Sequence, residues 1–117
     1  MNSRHGSLEN IILNAIWSFH EDGGELVSVL DIQNKINASN NQNWAYTTVK
    51  TVLDRLTEKG IINRHKQGKK YFYKSLDSRL FMGKKSIKRV LSQYYNDNIE
   101  ELEQAVKEVK QEEFVLA

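Results

Sequence analysis

Apolar residues recur at helical spacing through the first half of this chain. From Leu8 to Phe19, the residues Leu8, Ile12, Ala15, Ile16 and Phe19 fall on one face with Ile11 beside them, and Ser7 stands where an N-cap belongs. Glu21-Asp22-Gly23-Gly24 breaks that run. A shorter helix is predicted after Ser28, with Asp31 three residues on in a capping-box arrangement and Ile32 and Ile36 turned inward. The polar stretch from Asn37 to Asn43 reads as a loop. The third helix, Tyr46 to Lys59, has the sharpest pattern: Val49, Val52, Leu53 and Leu56 form a buried stripe. Thr47, Thr51, Asp54 and Glu58 centre the opposite face, flanked by Lys50 and Arg55, and Gly60 closes the helix as a C-cap would.

After Gly60 the pattern changes. Ile61 to Lys66 and Tyr71 to Leu76 read as two strands, with Gln67-Gly68-Lys69-Lys70 as their turn. Three helices followed by a hairpin predict a mainly α fold with a small β-hairpin, a winged helix-turn-helix over residues 1–76. Residues 77–117 are expected to form a helical dimerisation segment. Ile87, Val90, Leu91 and Tyr94 share one stripe, and Asn96-Asp97-Asn98 is a break. Ile99, Leu102, Val106 and Val109 then repeat at 3-4-3 spacing, as in a helix packed on a partner helix. These stripes would also suit a tail folded back on its own domain. A homodimer is the stronger expectation, because the segment is too short to bury both helices alone.

Charge sharpens this picture. The net +2 conceals −3 over residues 1–43, +10 over 44–90 and −5 over 91–117. A basic block between two acidic ones points to a surface for a polyanion, although uneven solvated charge would look the same. The chain has 117 residues, 39% of them hydrophobic, which suits one domain or a small domain with an appendage. It contains no cysteine, so disulfides, thiolate metal sites and cysteine nucleophiles are excluded. No run approaches the ~18 apolar residues of a membrane span. Met1 to Gly6 carries no apolar leader pattern, so a cytoplasmic protein is expected.

An enzyme fits poorly. His5, His20 and His65 are far apart, and there is no glycine-rich phosphate loop or recognisable nucleophile. No catalytic residue, metal site or cofactor is expected. Asp54 and Glu58, one turn apart on an exposed face, read as charges that moderate the third helix.

Double-stranded DNA fits better. A helix-turn-helix lays its second helix in the major groove with the N-terminal residues nearest the bases. That places Thr47, Lys50 and Thr51 at base edges, with Tyr46 beside a phosphate or the groove edge. Lysine donates to guanine N7 and O6, and threonine offers both a hydroxyl and a methyl. The wing adds Arg64, Lys66, Lys69 and Lys70 as phosphate contacts, with His65 and Lys74 nearby. Lysines on an edge hairpin also discourage unwanted strand pairing, and both roles are compatible. The alternatives are a winged-helix module that binds protein and an architectural DNA-binding protein.

Trp44-Ala45-Tyr46-Thr47-Thr48-Val49-Lys50-Thr51, then Asp54-Arg55-Leu56, Glu58-Lys59-Gly60 and the Tyr71-Phe72-Tyr73 strand resemble the penicillinase-repressor (BlaI/MecI/CopY) family. Weaker similarity covers most of the chain, including Ile16-Trp17. The resemblance implies a homodimeric winged-helix repressor that reads a pseudo-palindromic operator through the helix bearing Thr47, Lys50 and Thr51. Three departures stand out. Ala45 replaces the serine usual after the tryptophan, which removes an N-cap hydroxyl typically worth ~1 kcal/mol. There is no Asn-Phe pair of the kind cleaved for induction in some members, and no cysteine for the copper-responsive mode. Trp17 and Trp44 are expected in the core rather than as stacking platforms.

Overall fold

The Ser7 side chain accepts the Asn10 backbone N–H at 3.2 Å and starts the first helix, α1, Leu8–Glu21. The structure, a computed structural model, describes residues 7–116; residues 1–6, with the His5 of the sequence reading, and residue 117 lie outside it. Gly23 adopts φ +96°, and the N–H groups of Gly23 and Gly24 return to the carbonyls of His20 and Phe19. This paired closure satisfies the carbonyls that α1 would otherwise leave open. A two-residue strand, β1 (Val27–Ser28), follows. Ser28 then caps α2 (Val29–Asn40) by accepting the Asp31 N–H at 3.1 Å. The helix α3 runs Tyr46–Glu58. Gly60, at φ +76°, ends it with the same closure, donating to Thr57 while Ile61 donates to Leu56.

Strands β2 (Ile62–Gln67) and β3 (Lys70–Ser75) pair antiparallel, with Arg64 opposite Tyr73 and Gln67 opposite Lys70. The expected four-residue turn is therefore two residues, Gly68-Lys69, because Gly68 at φ +63° supplies the left-handed backbone that a tight hairpin needs. β1 also joins β3, Val27 opposite Tyr73, giving the sheet order β1-β3-β2. These elements pack as a winged helix. Its core takes Ile12 and Ile16 from α1, Ile32 and Ile36 from α2, and Val49, Leu53 and Leu56 from α3. Ile62 and Tyr73 close it from the sheet, and burial of each such side chain contributes about 1.5–3 kcal/mol.

Trp17 and Trp44 are half-buried and packed against this core. The Trp17 indole N–H donates to Ser75 Oγ at 3.0 Å and to the Asp77 carbonyl at 2.9 Å, tying α1 to the end of β3. His20 joins the same corner: its Nε2 accepts the Ser75 N–H at 3.1 Å, which leaves Nδ1 to donate to the Gly24 carbonyl at 2.7 Å.

The chain divides into two compact units between Arg79 and Leu80. Arg79, the first residue of α4 (Arg79–Tyr94), belongs to the first unit and pairs with Glu21 at 3.0 Å. In the second unit, Asn96 and Asp97 take positive φ in the link that ends α4. Asn98 Oδ1 then accepts the Glu101 N–H at 3.0 Å and starts α5 (Ile99–Leu116). No helix among the described residues is long and apolar enough to cross a membrane.

Candidate nucleic-acid interface

The start of α3 is held from α2. Asn37 accepts the Trp44 N–H at 2.9 Å and donates to the Trp44 carbonyl at 3.1 Å, and Gln33 donates to the same carbonyl at 3.1 Å. Ala45, the N-cap residue, makes no side-chain cap. The amides of α2 thus fix the turn, and the missing serine hydroxyl is not replaced by Thr47 or Asn43.

From that start, Tyr46 is 46% exposed and Thr47, Thr48 and Thr51 are exposed. The Thr51 hydroxyl donates to the Thr47 carbonyl at 2.8 Å, so its methyl is the part left for other contacts. Lys50 is half-buried and pairs with Asp54 at 3.0 Å. Asp54 also receives Arg64 of β2 at 3.3 Å and the Tyr73 hydroxyl at 3.5 Å. One carboxylate thereby joins α3 to both strands of the wing. Tyr71 adds to the joint, with the Arg64 guanidinium 4.6 Å from its ring centroid and the Lys50 and Lys66 ammonium groups each 5.8 Å away.

Burial pushes the Tyr73 phenol up to about 12, and the neighbouring Asp54 charge adds to the shift. Tyr73 is therefore neutral in the fold. Its contribution to stability is complete below the ordinary phenol value near ~10 and is lost as pH rises from there towards 12. Urea unfolding at pH 9, 10 and 11 should show a steeper loss for the parent than for Tyr73→Phe. Equal slopes would mean that this phenol does not drive alkaline destabilisation.

A pocket of about 400 Å³ opens between α3, the wing tip and the start of α2. Tyr46 and Lys50 line it from α3, Lys69, Lys70 and Tyr71 from the hairpin, Ser28 from the end of β1, and Val29 and Leu30 from α2. It brings together three ammonium groups, two tyrosines and the partially positive amino end of a helix, a combination suited to an anion. Of the residues expected at DNA, it gathers Tyr46, Lys50, Lys69 and Lys70. Lys66 stands over Tyr71 and Arg64 is bound to Asp54, while Thr47 and Thr51 lie outside the pocket. The sequence reading missed Asp54 as a joint, Tyr71 as a platform and the α2 start as a wall. Only the i,i+4 spacing of Lys50 and Asp54 signalled any of this in advance.

The second unit presents Ile87, Val90, Tyr94, Ile99, Val106 and Val109 as exposed side chains; Leu102 is half-buried and Leu91 is buried.

The model of the penicillinase repressor family matches residues 5–114. The chain belongs to this family. It is accordingly a DNA-binding transcription regulator with a winged helix. Among solved structures, that titled the complex structure of hsRosR-S4 is similar over 95% of this chain and 91% of its own, with 15% identity and a TM-score of 0.57. A MarR family protein from Bacillus stearothermophilus is similar over 90% of this chain and 81% of its own, with 16% identity and a TM-score of 0.43. No curated protein sequence matches at a significant level. For this penicillinase repressor family member, the first of these likenesses supports the fold alone.

Proposed function

We propose that this regulator represses transcription by binding a pseudo-palindromic operator as a homodimer, with α3 in the major groove and the hairpin along the backbone. The observation that carries this reading is the pocket that sets Tyr46 and Lys50 of α3 beside Lys69 and Lys70 of the wing. A phosphate there would meet positive charge from both elements and fix the register of the helix on the duplex. Thr47, Thr51 and Lys50 then face base edges, Arg64 keeps the wing against α3 through Asp54, and Lys66 stands over Tyr71 on the wing itself. The exposed apolar stripes of α4 and α5 support a dimer, since monomers rarely leave extended apolar patches to water. Two-fold symmetry would place the reading helices one DNA turn apart, ~34 Å, or a multiple of it. The cationic character of the pocket favours DNA over a protein partner.

Selection of bound fragments from sheared genomic DNA at moderate salt tests this directly. An inverted repeat is the expected recovery, and sequence-blind recovery would overturn the operator reading. On the recovered site, Lys50→Ala should cost about 1–3 kcal/mol and relax the preference at its contacted base. Lys69→Ala and Lys70→Ala should instead weaken all sequences evenly and each flatten the salt slope by ~0.9. Unchanged selectivity in Lys50→Ala would show that another residue reads the base.

A further inference from the structure

The helix proposed to read DNA carries a carboxylate on its reading face. At about 100° per residue, Asp54 shares a face with Thr47, Lys50 and Thr51, and no acidic residue precedes it on α3. Glu58 and Asp77 are the other acids among the thirteen basic residues of positions 44–90. A negative charge at this place repels the phosphates of a duplex and so opposes affinity. Burial does not remove that cost, because the Asp54 side chain is 35% exposed.

Both of its oxygens are engaged within the protein. Oδ2 accepts the Lys50 ammonium at 3.0 Å, and Oδ1 accepts the Arg64 guanidinium at 3.3 Å and the Tyr73 hydroxyl at 3.5 Å. Asp54 therefore acts on DNA through these cations rather than by reading a base itself. Lys50 and Arg64 are both part-exposed, and each carries several donors, so one can be held by Asp54 while others stay available. The Tyr71 ring limits the same two groups from another side, 4.6 Å from Arg64 and 5.8 Å from Lys50. Without the carboxylate, Lys50 is a point charge on a flexible stem, able to settle on any phosphate within reach.

We propose that Asp54 is a positioning residue that sets sequence selectivity: it holds Lys50 where a base edge can meet it and weakens the pull of Lys50 and Arg64 on phosphates in general. The proposal rests on the operator reading of α3. A brace between helix and wing would behave differently. Its loss weakens binding to every duplex together, whereas loss of this charge strengthens binding to unrelated duplexes and erodes discrimination between them and the operator.

Affinities for the recovered operator and for a scrambled duplex of equal length, measured across salt concentrations, test it. Asp54→Asn keeps the side-chain volume and an acceptor for Tyr73, and Asp54→Ser is a second neutral variant should asparagine not fold. Either should bind the scrambled duplex more tightly than the parent, with a salt slope steeper by ~0.9 for each cation released to a phosphate. The ratio of operator to scrambled affinity should fall roughly 5–100-fold, the worth of one base contact. Asp54→Glu keeps the charge at the same i,i+4 spacing from Lys50 and should restore most of that ratio. In a Lys50→Ala background, Asp54→Asn should cost no further selectivity, because the residue acts through Lys50. Neutral variants that match the parent, or that bind both duplexes more weakly together, would overturn the proposal. So would a selectivity loss that adds in full to that of Lys50→Ala. A parent that treats all duplexes alike would instead remove the operator reading, and the role in selectivity with it.

Discussion

Aspartate at both Leu102 and Val106 is expected to leave a folded monomer that binds operator DNA about 10²–10⁴-fold more weakly. Val106 is 58% exposed and Leu102 is half-buried, so the single chain loses little when they become polar. In a dimer the same positions would be covered, and a carboxylate left there without a partner is costly to bury. The loss at DNA follows from linkage. When one winged domain is bound, its dimer partner is held near the second half-site at a high effective concentration, and a monomer has no such advantage. Sedimentation should show the monomer, circular dichroism an unchanged helix content, and titration of the recovered inverted repeat the fall in affinity. A variant that stays dimeric and binds normally would place the interface elsewhere.

The second large effect concerns stability. Leu53→Ala should cost about 2–5 kcal/mol, because Leu53 is 0% exposed and belongs to the core to which α1, α2, α3 and the sheet contribute. Each kcal/mol lowers the melting temperature of a domain of this size by roughly 4–8 °C, so a fall of about 10 °C or more is expected. Leu30→Ala makes the contrast. Leu30 is 55% exposed, so its truncation should stay within about 0.5 kcal/mol. Thermal unfolding by circular dichroism reads both, and similar shifts would contradict the burial assigned to α3.

The elements legible in advance are those whose signal is local. The Val49, Val52, Leu53 and Leu56 stripe, the Ser7 and Ser28 caps and the Gly60 closure each depend on residues within one or two turns, and all appear where the spacing puts them. Strand β1 was not legible. Two residues show no alternation, and Val27-Ser28 becomes a strand only because Tyr73 and Phe72 lie beside it. Asp54 is the same case at the candidate site. Its pairing with Lys50 spans one helical turn, but Arg64 and Tyr73 stand ten and nineteen positions away and reach it only after the hairpin folds onto α3. A charge that looked like a moderator of the helix is thus the joint between helix and wing. The wing turn was overestimated because Gln67 and Lys70 are polar and resemble turn residues, whereas their pairing extends both strands.

Asn37 has a consequence for how this region tolerates change. Its side chain holds both backbone groups of Trp44, and its own carbonyl accepts the Gln42 N–H at 3.1 Å. The start of α3 is thereby held by side chains of the preceding helix, Asn37 with Gln33, rather than by the connecting loop alone. Asn43 bears none of that duty among the described contacts. Substitution of Asn43 alone is therefore expected to leave the start of α3 in place, whereas loss of the Asn37 carboxamide removes its bonds to both backbone groups of Trp44.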